Sequence, residues 1–214
     1  MSATATEGLR ERKKRETRAA LVRHAMELFA ARGFDAVTVA DVAHAAGVSE
    51  KTVFNYFPAK EDLVVHGGAE RLDALIEAIR TRPPGASVVE PFRAATMAFI
   101  DQVQTGSVHD IVAVPRLVAG SKSLRDRLFL AWEQEAALLT PVVVEASGDV
   151  GDELVPAVVA RTLAWTHRVV FRTALRRLLA GDDQVEVATD LRGEANRAYD
   201  LLERGLAGYG VRSR

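Results

Sequence analysis

Residues 34–63 read FDAVTVADVAHAAGVSEKTVFNYFPAKEDL, and this stretch decides the fold. Thr38 and Ser49 each stand just before a short run of apolar residues at helical spacing, where a side-chain oxygen can accept the orphan N–H groups of a first helical turn. Val39, Val42, Ala43 and Ala46, then Val53, Tyr56 and Phe57, form the inward faces of two short helices. Helices that cross through a tight turn need a small residue where they touch and a glycine where the chain reverses. Ala43 and Gly47, four apart, meet both needs, and Val42, Val48 and Val53 supply the buried contacts. That packing leaves Ser49, Glu50, Lys51, Thr52, Asn55 and Tyr56 on the outer side of the second helix or at its start. From there a helix N-terminus reaches base edges in a DNA major groove.

Working outward, apolar residues recur at helical spacing almost everywhere and no period-two stretch competes with them, so the fold class is all-α. Upstream, Leu21, Ala25, Leu28 and Phe29 share a face of a first helix that closes at Gly33. Downstream, Pro58 ends the recognition helix, and a longer helix from about Lys60 carries Leu72, Leu75, Ile76 and Ile79 to the breaker Arg82-Pro83-Pro84-Gly85. Ser87 and Glu90 have capping-box spacing before Phe92, Ala95, Phe99 and Val103. A helix with Ile111, Pro115 and Leu117 follows, then one with Leu124, Leu128, Trp132 and Leu139 that Pro141 is expected to kink or end. Two long helices, about 153–180 and 185–207, close the chain around the linker Gly181-Asp182-Asp183. These signals divide the chain into a basic flexible arm (1–16), a helix-turn-helix DNA-binding domain (17–66) and a helical ligand-binding and dimerisation domain (67–214).

Between Thr17 and Leu63 the sequence resembles the TetR family of bacterial transcriptional regulators. The resemblance rests on Leu28-Phe29-Ala30-Ala31-Arg32-Gly33-Phe34, Thr38-Val39, Ala46-Gly47-Val48-Ser49, Phe54-Asn55-Tyr56-Phe57 and Lys60-Glu61-Asp62-Leu63. It implies that Lys51, Thr52 and Asn55 face bases, while Ser49, Tyr56 and Lys60 hold phosphates, Lys60 at a helix N-terminus. Thr38 and Glu50 complete the DNA-binding set. Two positions depart from the family pattern. Ala59 stands where a small polar cap is usual. Gly67-Gly68 puts two glycines inside a helix at about 1 kcal/mol each relative to alanine, marking a flexible point between DNA reading and ligand sensing.

Net charge of −1 gives no whole-chain sign of nucleic acid, so any basic surface has to be local. From Gly8 to Arg23 seven basic residues (Arg10, Arg12, Lys13, Lys14, Arg15, Arg18, Arg23) face only Glu11 and Glu16, an arm suited to phosphates. No apolar run is long enough to span a bilayer, no secretory pattern opens the sequence and no cysteine is present, so a cytoplasmic location without membrane is expected. The five histidines lack HExxH spacing, and GxSxG, GxGxxG and GxxxxGK[ST] do not occur. No enzyme activity, cofactor or metal is therefore expected.

The expected partners are a palindromic duplex operator, a second copy of the chain and a hydrophobic small molecule. Stripes for pairing the last two helices are Val155, Val159, Thr162, Thr166, Val169 and Val170, then Leu191, Ala195, Ala198, Leu202 and Leu206. Phe99, Arg116, Trp132, His167 and Phe171 are candidates to line a ligand pocket. The function expected is a repressor released from its operator by ligand. The alternative is a helical ligand-binding or scaffold protein that keeps the head as structure only.

Overall fold

A computed structural model describes residues 8–148, 151–206 and 209–211, and in these the chain is helical with no strand. Ten helices follow in order: α1 (Leu9–Arg32), α2 (Val39–Ala45), α3 (Glu50–Tyr56), α4 (Asp62–Val65), α5 (Gly67–Thr81), α6 (Val89–Thr105), α7 (Val108–Gly120), α8 (Lys122–Ser147), α9 (Leu154–Ala180) and α10 (Gln184–Gly205). The chain forms two compact units, one of residues 1–67 with 116–127, the other of 68–115 with 128–214. Residues 116–127, assigned to the second domain from sequence, thus cluster with the first unit.

The first unit is built on Leu21, Ala25 and Phe29 of α1, which meet Phe34, Val37, Val42, Val53, Phe57 and Leu63, all buried. Helix α1 begins at Leu9, so residues 9–16, expected as part of a flexible arm, are its first two turns; residues 1–7 lie outside the described residues. Its exposed cations sit on a helix made regular by lysine, arginine and glutamate, which lose little rotamer freedom there. Gly33 ends the helix with a positive φ of 80° while its N–H bonds the Phe29 carbonyl.

The expected single helix from Lys60 to Arg82 is broken at His66, where Nδ1 pairs with the Leu63 carbonyl oxygen at 3.0 Å, and α5 restarts at Gly67. No side chain caps α4, and Ala59 is held through its main chain. Asp62 Oδ2 accepts the Ala59 N–H at 3.0 Å, and its Oδ1 takes Arg127 Nε at 2.8 Å and Nη2 at 2.6 Å. Ser121 Oγ likewise donates to Asp35 Oδ1 at 2.8 Å, so residues 116–127 are held to the head by two side-chain ties.

In the second unit α6, α9 and α10 pack around two apolar clusters. One gathers Ile79, Val88, Phe92, Leu139, Val143, Leu163 and Tyr199; the other gathers Ile100, Val103, Val170, Ala174, Leu178, Leu191 and Ala195. The Ser87 and Glu90 capping box does not form: α6 starts at Val89, whose N–H bonds Ser87 Oγ at 3.2 Å, too late for Glu90 to lie three residues from the cap. Pro141 does not end α8, which runs on to Ser147 with the ring on an exposed face. Asp183 caps α10 by accepting the N–H groups of Val185 and Glu186. Among the described residues no helix is long and apolar enough to cross a membrane.

Candidate functional site

The α2–turn–α3 unit is set by local chemistry. Thr38 Oγ1 accepts the Asp41 N–H at 3.1 Å, and Asp41 Oδ2 accepts the Thr38 N–H and hydroxyl, each at 2.8 Å. These bonds, the backbone one first, hold the Asp41 carboxyl below its ordinary value. The chain then reverses at Gly47, whose φ of 67° a residue with a side chain rarely adopts. Ser49 opens α3 by accepting the Thr52 N–H at 3.1 Å, and its hydroxyl lies 2.9 Å from that of Thr52. Val53 and Phe57 close against the core.

Ser49, Glu50, Lys51 and Asn55 are left exposed along α3, with Thr52 and Tyr56 half-buried beside them, and Thr38 is exposed at the start of α2. The structure also exposes Phe54, an apolar ring not expected in this set, at 47% of its surface. Its position was legible on the helical wheel: one residue past Val53 and four past Glu50, it falls off the inward stripe.

Lys60 is placed differently from its expected role. Its ammonium donates to the carbonyl oxygens of Phe34 at 3.0 Å and Val37 at 2.9 Å and lies 4.1 Å from the Phe34 ring centroid. It is a clamp on the α1–α2 loop rather than a free cation at a helix start. Arg18, counted with the basic arm, also faces inward: Nη1 donates to the Tyr56 carbonyl at 3.2 Å and the guanidinium sits 4.4 Å over Phe57. Lys60 thus grips a loop and Arg18 the last residue of α3. Lys60→Met is expected to destabilise the first unit by about 1–2 kcal/mol, through two lost charged hydrogen bonds and a cation–π contact, while leaving the salt slope of DNA binding unchanged. Thermal unfolding alongside DNA titrations checks this; a slope reduced by about one at unaltered stability would return Lys60 to the phosphates.

The sequence profile of the bacterial regulatory proteins, tetR family, matches residues 21–66, the segment that holds the capped turn, α3 and Lys60. The HTH-type transcriptional regulator TcmR of Streptomyces glaucescens is 29% identical over 77% of this chain and 76% of its own. Residues 21–66 are thus similar to the DNA-binding segment of the tetR family. The chain is a DNA-binding transcriptional regulator. Mycobacterium tuberculosis MftR, named a putative mycofactocin biosynthesis transcriptional regulator, is 29% identical over 85% of this chain and 87% of its own. The fold is also that of NalD, the secondary repressor of the MexAB-OprM efflux pump in Pseudomonas aeruginosa: the TM-score is 0.53 at 16% identity, covering 87% of this chain and 96% of that one.

Of the five expected pocket residues, three are together in the second unit. The Phe99 and Phe171 centroids are 4.9 Å apart, and His167 stands edge-on to Phe99 at 6.3 Å. Trp132 is engaged elsewhere, its carbonyl accepting Arg168 Nη2 at 3.2 Å while the guanidinium lies over its ring at 5.2 Å. Arg168 is itself buried and paired with Glu135 at 2.7 Å. Arg116 is exposed and clusters with the first unit rather than with these four. Sequence reasoning missed the polar partners of His167. Its Nδ1 lies 2.8 Å from Thr96 Oγ1, which also meets Tyr199 OH at 2.7 Å. Burial, the largest cause, pushes the His167 imidazole below its ordinary value, aided by Arg71 and Arg168 and opposed by Glu135. Burial also pushes the Tyr199 phenol up to about 12.

Proposed function

We propose that the chain is a repressor that binds a palindromic operator as a homodimer and leaves it when a hydrophobic small molecule occupies the second unit. The observation that carries this is the exposed outer face of α3, held by a capped turn and backed by a closed core. Glu50, Lys51, Thr52 and Asn55 lie in its first two turns, where a recognition helix meets base edges; Ser49, Tyr56 and the cations of α1 other than Arg18 face phosphates, and Phe54 faces a thymine methyl. Lys60 and Arg18 position that surface. In this reading the DNA-binding domain is 17–66, residues 67–214 other than the head-bound 116–127 sense and dimerise, and the protein works in the cytoplasm.

The dimer reading rests on α9 and α10. Val155, Val158, Thr162, Trp165 and Val169 alternate by three and four along α9 and are exposed or nearly so, while Leu201 on α10 is 63% exposed. The spacing is that of a helix seam which packs on another helix. Val158, Leu201 and Leu206 border a shallow apolar cleft of about 180 Å³ between the two helices. The expected stripes are corrected residue by residue: Val159, Val170, Leu191 and Ala195 are buried in the chain's own core, so they do not face a second copy.

Selection of random duplex by the purified protein, followed by titration at several salt concentrations, tests the reading. Enrichment of an inverted repeat with half-sites about one helical turn (34 Å) apart supports it; weak binding blind to sequence overturns it. With that operator, Asn55→Ala is expected to cost about 1–3 kcal/mol at one position of each half-site and almost nothing on random duplex. Equal losses on both would remove Asn55 from the base-reading residues.

A further inference from the structure

Thr96, His167 and Tyr199 come from α6, α9 and α10 and meet at one hydroxyl. Thr96 Oγ1 is 2.9 Å from the Phe92 carbonyl oxygen one turn back, 2.8 Å from His167 Nδ1 and 2.7 Å from Tyr199 OH. A hydroxyl has one proton to give and lone pairs to receive with. With that proton donated to Phe92, the other two partners must both donate to Thr96, Tyr199 through its phenolic O–H and His167 through Nδ1–H. A neutral imidazole carries one N–H, so Nε2 is left as a bare acceptor. Burial keeps the ring neutral, since it holds the imidazole below its ordinary value.

Two aromatic rings stand beside the imidazole, and the charges of Glu135, Arg71 and Arg168 also act on it. Phe99 stands edge-on to the imidazole, and Phe171 tilts against Phe99. Thr96 and Tyr199 are closed off completely, whereas His167, Phe99 and Phe171 stay half-buried midway along their helices. Tyr199 belongs to one apolar cluster of the unit while Phe99 and Phe171 border the other, so the rings lie where the two clusters abut. A polar group set among aromatic side chains is the lining a small-molecule site takes.

We propose that His167 Nε2 is the polar anchor of the inducer site, accepting a hydrogen bond from the hydroxyl of a flat, uncharged aromatic ligand whose ring packs on Phe99 and Phe171. The proposal rests on the ligand-released reading above and gives the ligand its chemical class. A carboxylate is disfavoured at Nε2, because in its ionised form it has no proton to give to that lone pair. Thr96 and Tyr199 act through His167, fixing which nitrogen carries its proton.

The test uses the full chain and three probes of one shape: 1-naphthol, 1-methoxynaphthalene and 1-naphthoate, titrated by calorimetry. 1-Naphthol is expected to bind about ten-fold tighter than its methyl ether, the worth of one buried hydrogen bond, and tighter than the carboxylate. His167→Phe is expected to abolish that preference and His167→Gln, which keeps an acceptor, to restore part of it. Nitrogen-15 spectra of the unliganded protein are expected to show His167 protonated at Nδ1, a readout that needs no variant to fold. Equal affinity for naphthol and its ether, a preference that survives His167→Phe, no binding of any probe, or a proton on Nε2 overturns the proposal. Operator release is measured in parallel. Release by some other compound without naphthol binding keeps the sensor reading and removes this anchor; naphthol binding that leaves operator affinity untouched keeps the anchor and removes the sensor reading.

Discussion

Arg82→Met is expected to destabilise the second unit by about 3–4 kcal/mol, because it removes a buried cation from four carbonyl oxygens at once. The residue is 6% exposed. Its guanidinium donates to Ile79 at 2.6 Å, Ala86 at 3.2 Å, Ala146 at 3.3 Å and Gly210 at 2.8 Å. Ile79 lies in the last turn of α5 and Ala146 in that of α8, where helical carbonyls have no partner further along and carry the negative end of the dipole. Methionine fills much of the volume and offers no donor, so these oxygens are left dry. Arg82→Lys is expected to recover less than half of the loss, since one ammonium cannot match a planar fork with five N–H groups. Chemical denaturation followed through Trp132 and Trp165, both in this unit, measures it; a loss under about 1 kcal/mol would show that water replaces the guanidinium.

The second large effect concerns pairing of two copies. Val158→Glu combined with Leu201→Glu places carboxylates on the exposed seam of α9 and α10, at positions 53% and 63% exposed in the single chain. Neither side chain supports the chain's own fold, so the helical content and the unfolding midpoint of the monomer are expected to stay as they are. Operator affinity is expected to fall by about a hundred- to ten-thousand-fold, because the second half-site loses the effective concentration that linkage confers. Sedimentation and operator titration check both parts. Undiminished affinity from a monomer would mean that a single head suffices, and an intact dimer would move the interface to another face.

The head was legible in the sequence because its determinants are local. Thr38 and Ser49 cap within three residues of themselves, Gly47 sets its own φ, and α2 and α3 are too short to hide a change of register. The long helices were legible in place and only half so in orientation. A seam on α9 and the face that enters the core differ by one residue, Val158 against Val159 or Val169 against Val170, and an apolar residue satisfies either side. Least visible were the polar centres. Thr96 and Tyr199 are 103 residues apart, and Arg82 reaches Gly210 across 128. Lys60 passed for a phosphate ligand because nothing in its neighbours marks the two carbonyls, 23 and 26 residues upstream, that take its protons.

Lys60, Arg18 and Arg82 share a habit: each grips main-chain oxygens, which every amino acid carries. A clasp of that kind is indifferent to spelling. These hydrogen bonds set no demand on the identity of the residues they hold, at 37, 56, 86 and 146 among others, so long as the chain path is kept; Phe34 is the exception, being held by its ring as well. The recognition surface fastened by Lys60 and Arg18 is therefore expected to accept transplanted α3 sequences without retuning of its supports. Diversification of operators among descendants of such a chain is then a matter of rewriting one short helix at a time.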